Sequence, residues 1–393
     1  MRHSNPSAEL AMFMVSPLLL LRYGVGNVHC STDHENSEDF HSLLDFKKDI
    51  TDDPNGALSN WTSKTHFCPW NGVTCTLRPP SCVKELILPG QNLAGQISPS
   101  LGNLTCLNLL DLSTNNFHGL GLYENNLTGV IPPRIGLLTK LEELLLYGNN
   151  LYGVIPPGIG NITCLSIIDL LENQLDGAIP SKNNLTGGIP RTPSNLSSLL
   201  ELSLAFNNLG NTLPSSFGNA IPNLQNLYLG YNSFEGHIPA SLGNASGLTD
   251  LVLSANNIMG QIPNIFGKLS GLCLLNLEQN MLEARDSAGW EFFDALTNCS
   301  SLSELALDAN NLQGVIPTSI ANLSTNLTYL LLSENHLYGI VPSSIGKLNG
   351  LISLSLGYNS FTATIGEWVG KLTNLQNLIL TDNYFVARET FSL

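Results

Sequence analysis

Acidic and aromatic side chains recur at fixed places in a sequence block that repeats along this 393-residue chain. Counted from the first leucine of each block, positions 2, 3, 5, 7 and 8 hold one basic residue, Lys84, and thirteen acids. The acids are Glu85, Asp111, Glu142, Glu143, Asp169, Glu172, Glu201, Asp250, Glu278, Glu304, Asp308, Glu334 and Asp382. Aromatic residues at the same positions are Tyr147, Phe206, Tyr228, Tyr231, Tyr329 and Tyr358. Carboxylates gathered on one surface attract cationic partners, and aromatic residues anchor binding.

Two interpretations of this surface remain open. The whole chain is acidic, with a net charge of −15, so these acids could be a solvated face that serves solubility. The concentration of acids at so few positions favours a binding face for a basic partner between the sixth and tenth blocks, where no lysine or arginine interrupts it. The candidate ligand-binding residues of this stretch, with Tyr358 flanking it in the eleventh block, are Tyr228, Tyr231, Asp250, Glu278, Glu304, Asp308, Tyr329, Glu334 and Tyr358.

No catalytic or metal-binding motif is recognisable in the sequence. There is no glycine-rich loop with its lysine, no HRD and no DFG motif, and the eight histidines form no HExxH motif. We therefore predict a non-catalytic protein with no cofactor-binding site and no metal site. The negative charge argues against nucleic acid and anionic lipid as partners, because both are bound through basic patches.

The blocks also predict the elements that hold these side chains. In Leu224 to Gly247, the LxxLxL pattern alternates and predicts a short strand with inward leucines. Asn232 follows at position 9, where its amide can bond backbone groups of neighbouring coils. A fixed period of this size indicates a solenoid whose coils bury one another's apolar faces. Twelve blocks begin at Val83, Leu107, Leu141, Leu165, Leu199, Leu224, Leu248, Leu272, Leu302, Leu327, Leu351 and Leu375.

After the asparagine, the motif LxGxIP resembles the plant-specific class of leucine-rich repeat. It stands at 127–132, 151–156, 175–180 and 312–317. The resemblance implies an α/β leucine-rich-repeat solenoid, a curved right-handed superhelix with a parallel inner sheet and an N-terminal helical cap. The repeats extend over 83–393, with irregular stretches at 117–140 and 180–198, an insert at 281–300 and a truncated last repeat.

Residues 38–75 resemble the N-terminal cap of plant receptor ectodomains. Phe40, Leu43, Leu44, Phe46 and Ile50 have helical spacing, and the sequence NWTSKTHFCPWNGVTC follows. Before the cap, residues 1–30 have the basic start and apolar run of 11 residues that are typical of a signal peptide. The chain is therefore expected to enter the secretory pathway.

Cysteines and glycosylation motifs agree with an oxidising compartment. Cys68 and Cys75 bracket PWNGVT and are expected to form a disulfide. Cys82, Cys106, Cys164, Cys273 and Cys299 are interpreted as buried or free thiols. The asparagines of N-x-S/T motifs are Asn60, Asn103, Asn126, Asn161, Asn184, Asn195, Asn244, Asn298, Asn322 and Asn326.

The irregular stretches and the insert interrupt the regular spacing. Two spacings of 34 residues each contain a second, incomplete motif, at 123–133 and 182–190, and either part of a coil has been lost or an extra piece bulges out. In the insert, Trp290, Phe293 and Leu296 can form one stripe of a short outer helix. This insert resembles the subfamily of the rice bacterial-blight resistance kinase and the flagellin receptor.

The resemblance implies a ligand-binding ectodomain of a receptor-like kinase of plant defence, lacking membrane span and kinase domain. Its inner face would bind a peptide or microbial pattern, and a co-receptor kinase would join near the C-terminal repeats. The protein would lie at the cell surface, or in the apoplast as the chain stands. Two alternatives are a secreted protein similar to polygalacturonase-inhibiting proteins and a truncated product without signalling function.

Overall fold

The computed structural model describes residues 36–78, 80–113, 126–177, 179 and 196–386. The expected signal peptide, the candidate glycosylation sites Asn184 and Asn195, the incomplete motif at 182–190 and the first three residues of the motif at 123–133 lie outside the described residues. Among the described residues, no helix is long and apolar enough to cross a membrane.

One strand from each of twelve repeats joins an inner parallel sheet, because the LxxLxL segment alternates between core and surface. The cap strand Val73–Cys75 pairs antiparallel with its first strand. The inner strands of the described chain are Val83–Ile87, Leu109–Asp111, Glu143–Leu145, Ile167–Asp169, Glu201–Ser203, Asn226–Tyr228, Asp250–Val252, Leu274–Asn276, Glu304–Ala306, Tyr329–Leu331, Ser353–Ser355 and Asn377–Ile379.

A second ladder of strands, which the sequence did not lead us to expect, runs along the solenoid. Its first strand comes from the cap, and the strands of most repeats lie directly after the position-9 asparagine. Its strands are Ile50–Asp52, Ala94–Gln96, Asn126–Gly129, Asn150–Val154, Gln174–Gly177, Asn208–Thr212, Ser233–Gly236, Asn257–Gln261, Met281–Ala284, Asn311–Gly314, His336–Gly339, Ser360–Thr364 and Tyr384–Val386. The glycine of LxGxIP ends many of them with positive φ, and a Cβ at Gly339 would lie 2.9 Å from Val315 Cγ1 of the preceding coil.

Short helices complete the coils. The proline of LxGxIP stands just before or at the start of most of them, where its fixed φ suits the first helical turn and its missing N–H goes unused. The 3₁₀ helices are Pro99–Asn103, Pro133–Leu137, Pro157–Asn161, Ala240–Asn244, Asn264–Lys268, Thr318–Asn322, Ser343–Lys347 and Val369–Lys371, and the α-helices beyond the cap are Phe217–Ala220 and Glu291–Leu296.

The position-9 asparagines tie each coil to the coil before it, as the sequence predicts. Asn256 accepts a hydrogen bond at Oδ1 from the backbone N–H of Phe234 over 2.9 Å. Its Nδ2 donates to the carbonyl of Leu229 at 3.0 Å, and also to two carbonyls of its own coil. The amide thus satisfies buried backbone groups that the turn would leave unpaired.

The cap covers the first coil with one helix and a cluster of aromatic rings. The helix Ser37–Asp49 begins after Asn36, whose side chain accepts a hydrogen bond from the N–H of Glu38. Leu43 and Phe46 are fully buried. Ile50, which we expected on the helix, instead begins the first strand of the second ladder, because the helix ends one residue earlier.

Two disulfides close the cap and the first two repeats. Cys68 pairs with Cys75, as expected from the sequence. The interpretation of Cys82 and Cys106 as thiols is wrong, since they form a second disulfide. They stand at equivalent places in successive coils, directly before inner strands that lie side by side, so their backbones are close enough to be bridged. Among the described residues, Cys164, Cys273 and Cys299 are free.

The ladders continue across both irregular stretches. Asn149 donates to the carbonyl of Leu112 and accepts from the N–H of Leu127, and Asn207 makes the same pair of contacts with Leu170 and Leu175. The described residues on either side of each stretch therefore belong to one coil, and inner strands pair directly across it.

The insert of the eighth repeat contains the predicted outer helix. This helix is Glu291–Leu296, and Trp290 directly precedes it. Phe293 and Leu296 are fully buried. The indole N–H of Trp290 donates to the carbonyl of Gln313 over 2.9 Å, which fastens the insert to the following coil.

Candidate ligand-binding face

The inner face is the surface formed by positions 2, 3, 5, 7 and 8 of the twelve repeats. Parallel pairing keeps equivalent positions in register, so Asp250 lies beside Asn226 on one side and Leu274 on the other. Parallel strands are ~4.8 Å apart, so side chains of successive coils form rows across this face. The nine candidate residues, predicted from their block positions, belong to coils six to eleven of these rows.

Position 8 has a left-handed backbone in every described repeat where a non-glycine residue occupies it. Tyr231 has φ of 54°, Glu334 of 53° and Tyr358 of 50°. Glycine takes the same conformation at this position in two other repeats, Gly90 and Gly148. A left-handed backbone at a residue other than glycine costs roughly 1–2 kcal/mol. The turn that leads into the position-9 asparagine therefore holds these residues in a disfavoured backbone conformation.

The aromatic residues divide into stacked, bonded and exposed groups. Phe206 and Tyr231 stack with ring centroids 4.2 Å apart and planes 8° from parallel. The Tyr228 hydroxyl donates to Asp250 Oδ2 over 3.0 Å. Tyr329 is half-buried, whereas Tyr358 is 54% exposed. Tyr358 is therefore the most exposed aromatic anchor among the candidates, whereas Tyr231 is half-buried and has one ring face covered by Phe206.

Several of the acids are much less exposed than the sequence predicts. Asp111, Asp169, Glu278 and Glu304 are buried, and only 1% of Glu278 is exposed. Each inner-face side chain is flanked by those of the two neighbouring coils, and this crowding removes water from the carboxyl groups. The expectation that positions 3, 5 and 7 are freely solvated is therefore wrong for these four residues.

Burial raises the pKa of the candidate acids. It raises the pKa of Glu304 to about 7, with Glu278 and Asp250 as secondary causes. It raises the pKa of Asp308 to about 7 as well, although the N–H of Ser333 donates to this carboxylate over 2.6 Å. The pKa values of Asp250 and Glu278 are also raised by burial. The middle of the face thus holds fewer negative charges near neutral pH than its composition indicates.

One acid of this group has a buried acceptor atom without a partner. Oε1 of Glu278 is buried and has no hydrogen-bond partner among the described residues, although Asn276 hydrogen-bonds the same carboxyl. Glu304 is 8% exposed, and its oxygens are not among the buried atoms that lack a partner. Buried polar groups are normally paired, so Oε1 of Glu278 is an exception.

The N-terminal part of the face has a similar pair of shielded acids. Asp111 accepts a hydrogen bond from the Ser113 hydroxyl, and burial raises its pKa. Asp169 accepts from the N–H of Leu171 at 3.1 Å, and burial raises its pKa to about 7. Both carboxyls are engaged by their own coils, as the carboxyl of Glu278 is by Asn276.

The candidate glycosylation sites lie away from the inner face. Four of them end the 3₁₀ helices of their coils: Asn103, Asn161, Asn244 and Asn322. Attachment of sugars to these asparagines stays a prediction. If they carry glycans, the inner-face positions remain uncovered, because none of the ten motifs places its asparagine at one of those positions.

The described residues contain no group of three or more His, Cys, Asp or Glu side chains that could hold a metal ion. Burial and repulsion between neighbouring carboxylates raise the pKa values of Glu304 and Asp308. Neighbouring carboxyl groups with raised pKa values can share protons or accept hydrogen bonds from a cationic group. Recognition of such a group is the chemistry that this arrangement supports.

Comparison with protein families identifies both parts of the fold. The Leucine rich repeat N-terminal domain family matches residues 36–76. Leucine rich repeat families match residues 140–162, 198–220, 223–245, 247–269 and 325–385.

The curated relatives include receptor kinases and a receptor-like protein of plants. The chain is 36% identical over 108 residues to the LRR receptor-like serine/threonine-protein kinase EFR of Arabidopsis thaliana, which is 27% of this chain and 9% of that protein. It is 37% identical over 113 residues to the receptor kinase-like protein Xa21 of Oryza sativa subsp. japonica, covering 29% of this chain and 9% of the relative. The matched stretch thus spans about a tenth of the length of these relatives.

Solved structures resemble a much larger part of the chain. The structure of PEPR1 with AtPEP1 superposes with a TM-score of 0.72 and 31% identity, over 89% of this chain and 49% of that one. The Arabidopsis receptor kinase HAESA, solved with the peptide hormone IDA and the co-receptor SERK1, gives a TM-score of 0.56 and 25% identity, over 88% of this chain and 66% of that one. The chain is thus a leucine-rich-repeat solenoid with an N-terminal cap, of the kind found in the ectodomains of plant receptor kinases.

Proposed function

We propose that this chain is a non-catalytic recognition module that binds a peptide along its inner face, between the sixth and tenth repeats. The observation that carries the proposal is the in-register row of inner strands, which brings the tyrosines and the acids of consecutive coils onto one surface. The likeness to PEPR1 with AtPEP1 over most of the chain supports a peptide as the ligand. The kinase activity named in EFR and Xa21 belongs to those proteins.

A basic peptide fits this face best. The candidate residues include five acids, and no lysine or arginine occupies an inner position in repeats six to ten. Exposed ion pairs contribute only ~0.2–1 kcal/mol each, so the affinity rests mainly on the aromatic residues while the acids govern encounter. The raised pKa of Glu304 and Asp308 makes this attraction stronger above neutral pH than below it.

A co-receptor kinase would complete the signalling complex near the C-terminal repeats. The HAESA structure, which contains a peptide and a co-receptor, supports this part of the proposal. The two disulfides and the N-x-S/T motifs support a location in the secretory pathway, and the receptor relatives support the cell surface.

The test is a selection of peptides on the immobilised glycosylated protein, from a random display library, followed by kinetic measurement of the recovered peptides. Tyr231→Ala removes the ring that stacks on Phe206, and we expect it to speed peptide dissociation about tenfold, since a hot-spot residue contributes roughly 1–2 kcal/mol or more. The matched control is Tyr152→Ala, because Tyr152 is also exposed but lies on the second ladder.

The proposal is contradicted if no peptide is recovered, or if the recovered peptides dissociate at the same rate from wild type and Tyr231→Ala. Binding to a fungal or plant polygalacturonase without any peptide binding would instead support the secreted inhibitor interpretation.

A further inference from the structure

The second ladder has a cluster of exposed apolar side chains in the second and third repeats. Val130, Tyr152 and Val154 are between 50% and 54% exposed, and we call them the Tyr152 cluster. Gly129 of one strand pairs with Leu151 of the next, so Val130 lies beside Tyr152. Contiguous apolar side chains on a solvated surface indicate that another group covers them.

The fold itself does not require apolar residues at these places. The residues equivalent to Tyr152 and Val154 in the sixth and eighth repeats are polar and belong to the same ladder. They are Glu235 and His237, and Glu283 and Arg285. The Tyr152 cluster therefore calls for a reason beyond the packing of its coils.

A glycosylation motif stands on the ladder strand next to this cluster. Asn126 begins the strand Asn126–Gly129 in the motif Asn-Leu-Thr, and its side chain is exposed. Its Oδ1 accepts a hydrogen bond from Nδ2 of Asn150, in the strand that contains Tyr152, over 3.4 Å. Its own Nδ2, the atom to which an N-linked sugar is joined, donates to none of the residues that the structure describes.

The hydrogen bond from Asn150 sets the direction in which a glycan leaves Asn126. The side-chain amide is planar like a peptide bond, so a trans substituent on its nitrogen lies on the same side as Oδ1. Because Oδ1 faces the strand of the third repeat, the first sugar is directed toward that strand.

We propose that Asn126 carries an N-linked glycan whose core lies over Val130 and Tyr152 and shields this part of the second ladder from water. Val130 is four residues beyond Asn126, or ~13 Å at the rise of a strand. Two N-acetylglucosamine units and the first mannose of an N-linked core together exceed this length. The C–H faces of these sugars are apolar and cover the tyrosine ring and the valine methyl groups, while their hydroxyls stay in water.

The test is hydroxyl-radical footprinting of the full glycosylated chain secreted from eukaryotic cells, measured by mass spectrometry at Tyr152 and Tyr338. Tyr338 has the same position in the tenth repeat and is 54% exposed, but the ladder strands on either side of it contain no N-x-S/T motif. We expect Tyr152 to be labelled at least ~3-fold less than Tyr338, since a covered aromatic side chain loses most of its exposed area.

Three variants separate the glycan from other causes of protection. Asn126→Gln removes the sugar and should make the labelling of Tyr152 equal to that of Tyr338. Thr128→Ser keeps the motif and should keep the protection. The matched control is Asn161→Gln, which removes a motif at the end of the 3₁₀ helix Pro157–Asn161 and should leave the labelling of Tyr152 unchanged. Melting temperatures of all variants show that the fold is retained.

The inference is overturned if glycopeptide mapping finds Asn126 unmodified in the secreted chain, or if Tyr152 and Tyr338 are labelled equally in the glycosylated protein. Protection of Tyr152 that persists in Asn126→Gln would also overturn it, and a dependence of that protection on protein concentration would indicate a second copy of the chain as the cover. Peptide binding to the inner face is tested independently by Tyr231→Ala, so neither proposal depends on the other.

Discussion

The ninth repeat should become less stable as the pH rises from 5 to 8, because burial disfavours the ionised form of Glu304. Its pKa is raised from the ordinary value of 4.5 to about 7. A group with a raised pKa in the folded state holds its proton more tightly when folded. Its contribution to stability is therefore full below pH 4.5 and is lost as the pH rises through about 7.

The size of the effect follows from this pKa gap. A gap between 4.5 and about 7 corresponds to about 3 kcal/mol for complete ionisation. Asp308 in the same coil has the same direction and adds to the trend. Glu304→Gln replaces the carboxyl by an amide that does not titrate, so the variant should lose roughly half of the pH dependence of this coil and should be more stable than wild type at pH 8.

Hydrogen–deuterium exchange with mass spectrometry measures this locally, which suits a solenoid whose repeats open in part. Opening free energies of peptides covering 302–310 would be compared at pH 5 and pH 8, after correction for intrinsic exchange. Glu142→Gln, whose carboxyl is exposed, is the matched control. Identical pH dependence of these opening free energies in wild type and Glu304→Gln would refute the argument that burial of this carboxyl sets the trend.

Three further results are expected. Cys82→Ser/Cys106→Ser should destabilise the cap end by about 3 kcal/mol, as for a loop of this length, and peptide mapping without reduction should recover the wild-type pair linked. Asn256→Ala should leave buried backbone groups of two coils unpaired and cost at least ~2 kcal/mol locally, seen as faster amide exchange in the sixth and seventh repeats and nowhere beyond the neighbouring coils. Gly339→Ala should lower the melting temperature, because its φ is 83° and its Cβ would meet Val315. Adding Val315→Ala to this variant should relieve only the steric clash. A complete rescue of the melting temperature would show that the left-handed backbone costs nothing.

The sequence predicted the inner strands and the asparagine ladder well because both depend on local spacing. Leucines at positions 1, 4 and 6 and an asparagine at position 9 follow directly from what one coil must bury and satisfy. The insert helix was predictable for the same reason, since Trp290, Phe293 and Leu296 need one apolar side. The cap helix was predicted one residue too long, because Ile50 fits an apolar helix face and an edge strand equally well.

The second ladder was missed because each of its strands is short and has one buried apolar residue, such as Leu127 or Phe234, between exposed neighbours, which is too little for a periodic pattern. Its strands are held by backbone pairing between coils and by glycine turns, which leave little trace in the pattern. The Cys82–Cys106 bond was missed because the two residues stand before different strands. Their proximity appears only when equivalent positions of stacked coils are compared.

The exposure of the acids could not be derived from block positions alone. A position identifies the face on which a side chain lies, whereas burial depends on the residues beside it in the two neighbouring coils. The left-handed turn at position 8 did leave a signal, since Gly90 and Gly148 occupy it in two repeats. That signal would have indicated a fixed backbone beneath Tyr231 and Tyr358.

The position-9 asparagines make the coils of the solenoid complete one another in order along the chain. Each amide reaches back, so Asn256 completes the coil that contains Leu229 and Phe234, and a coil is satisfied only when its successor exists. Because synthesis proceeds from the N-terminus, the last folded coil of a growing chain should still have unpaired backbone groups. All earlier coils should already have theirs paired by the asparagine of the following coil. For the same reason a repeat can be duplicated or deleted during evolution while only the contacts between two coils are disturbed. The side-chain hydrogen bonds of Asn256, for example, reach no further than the adjacent coil.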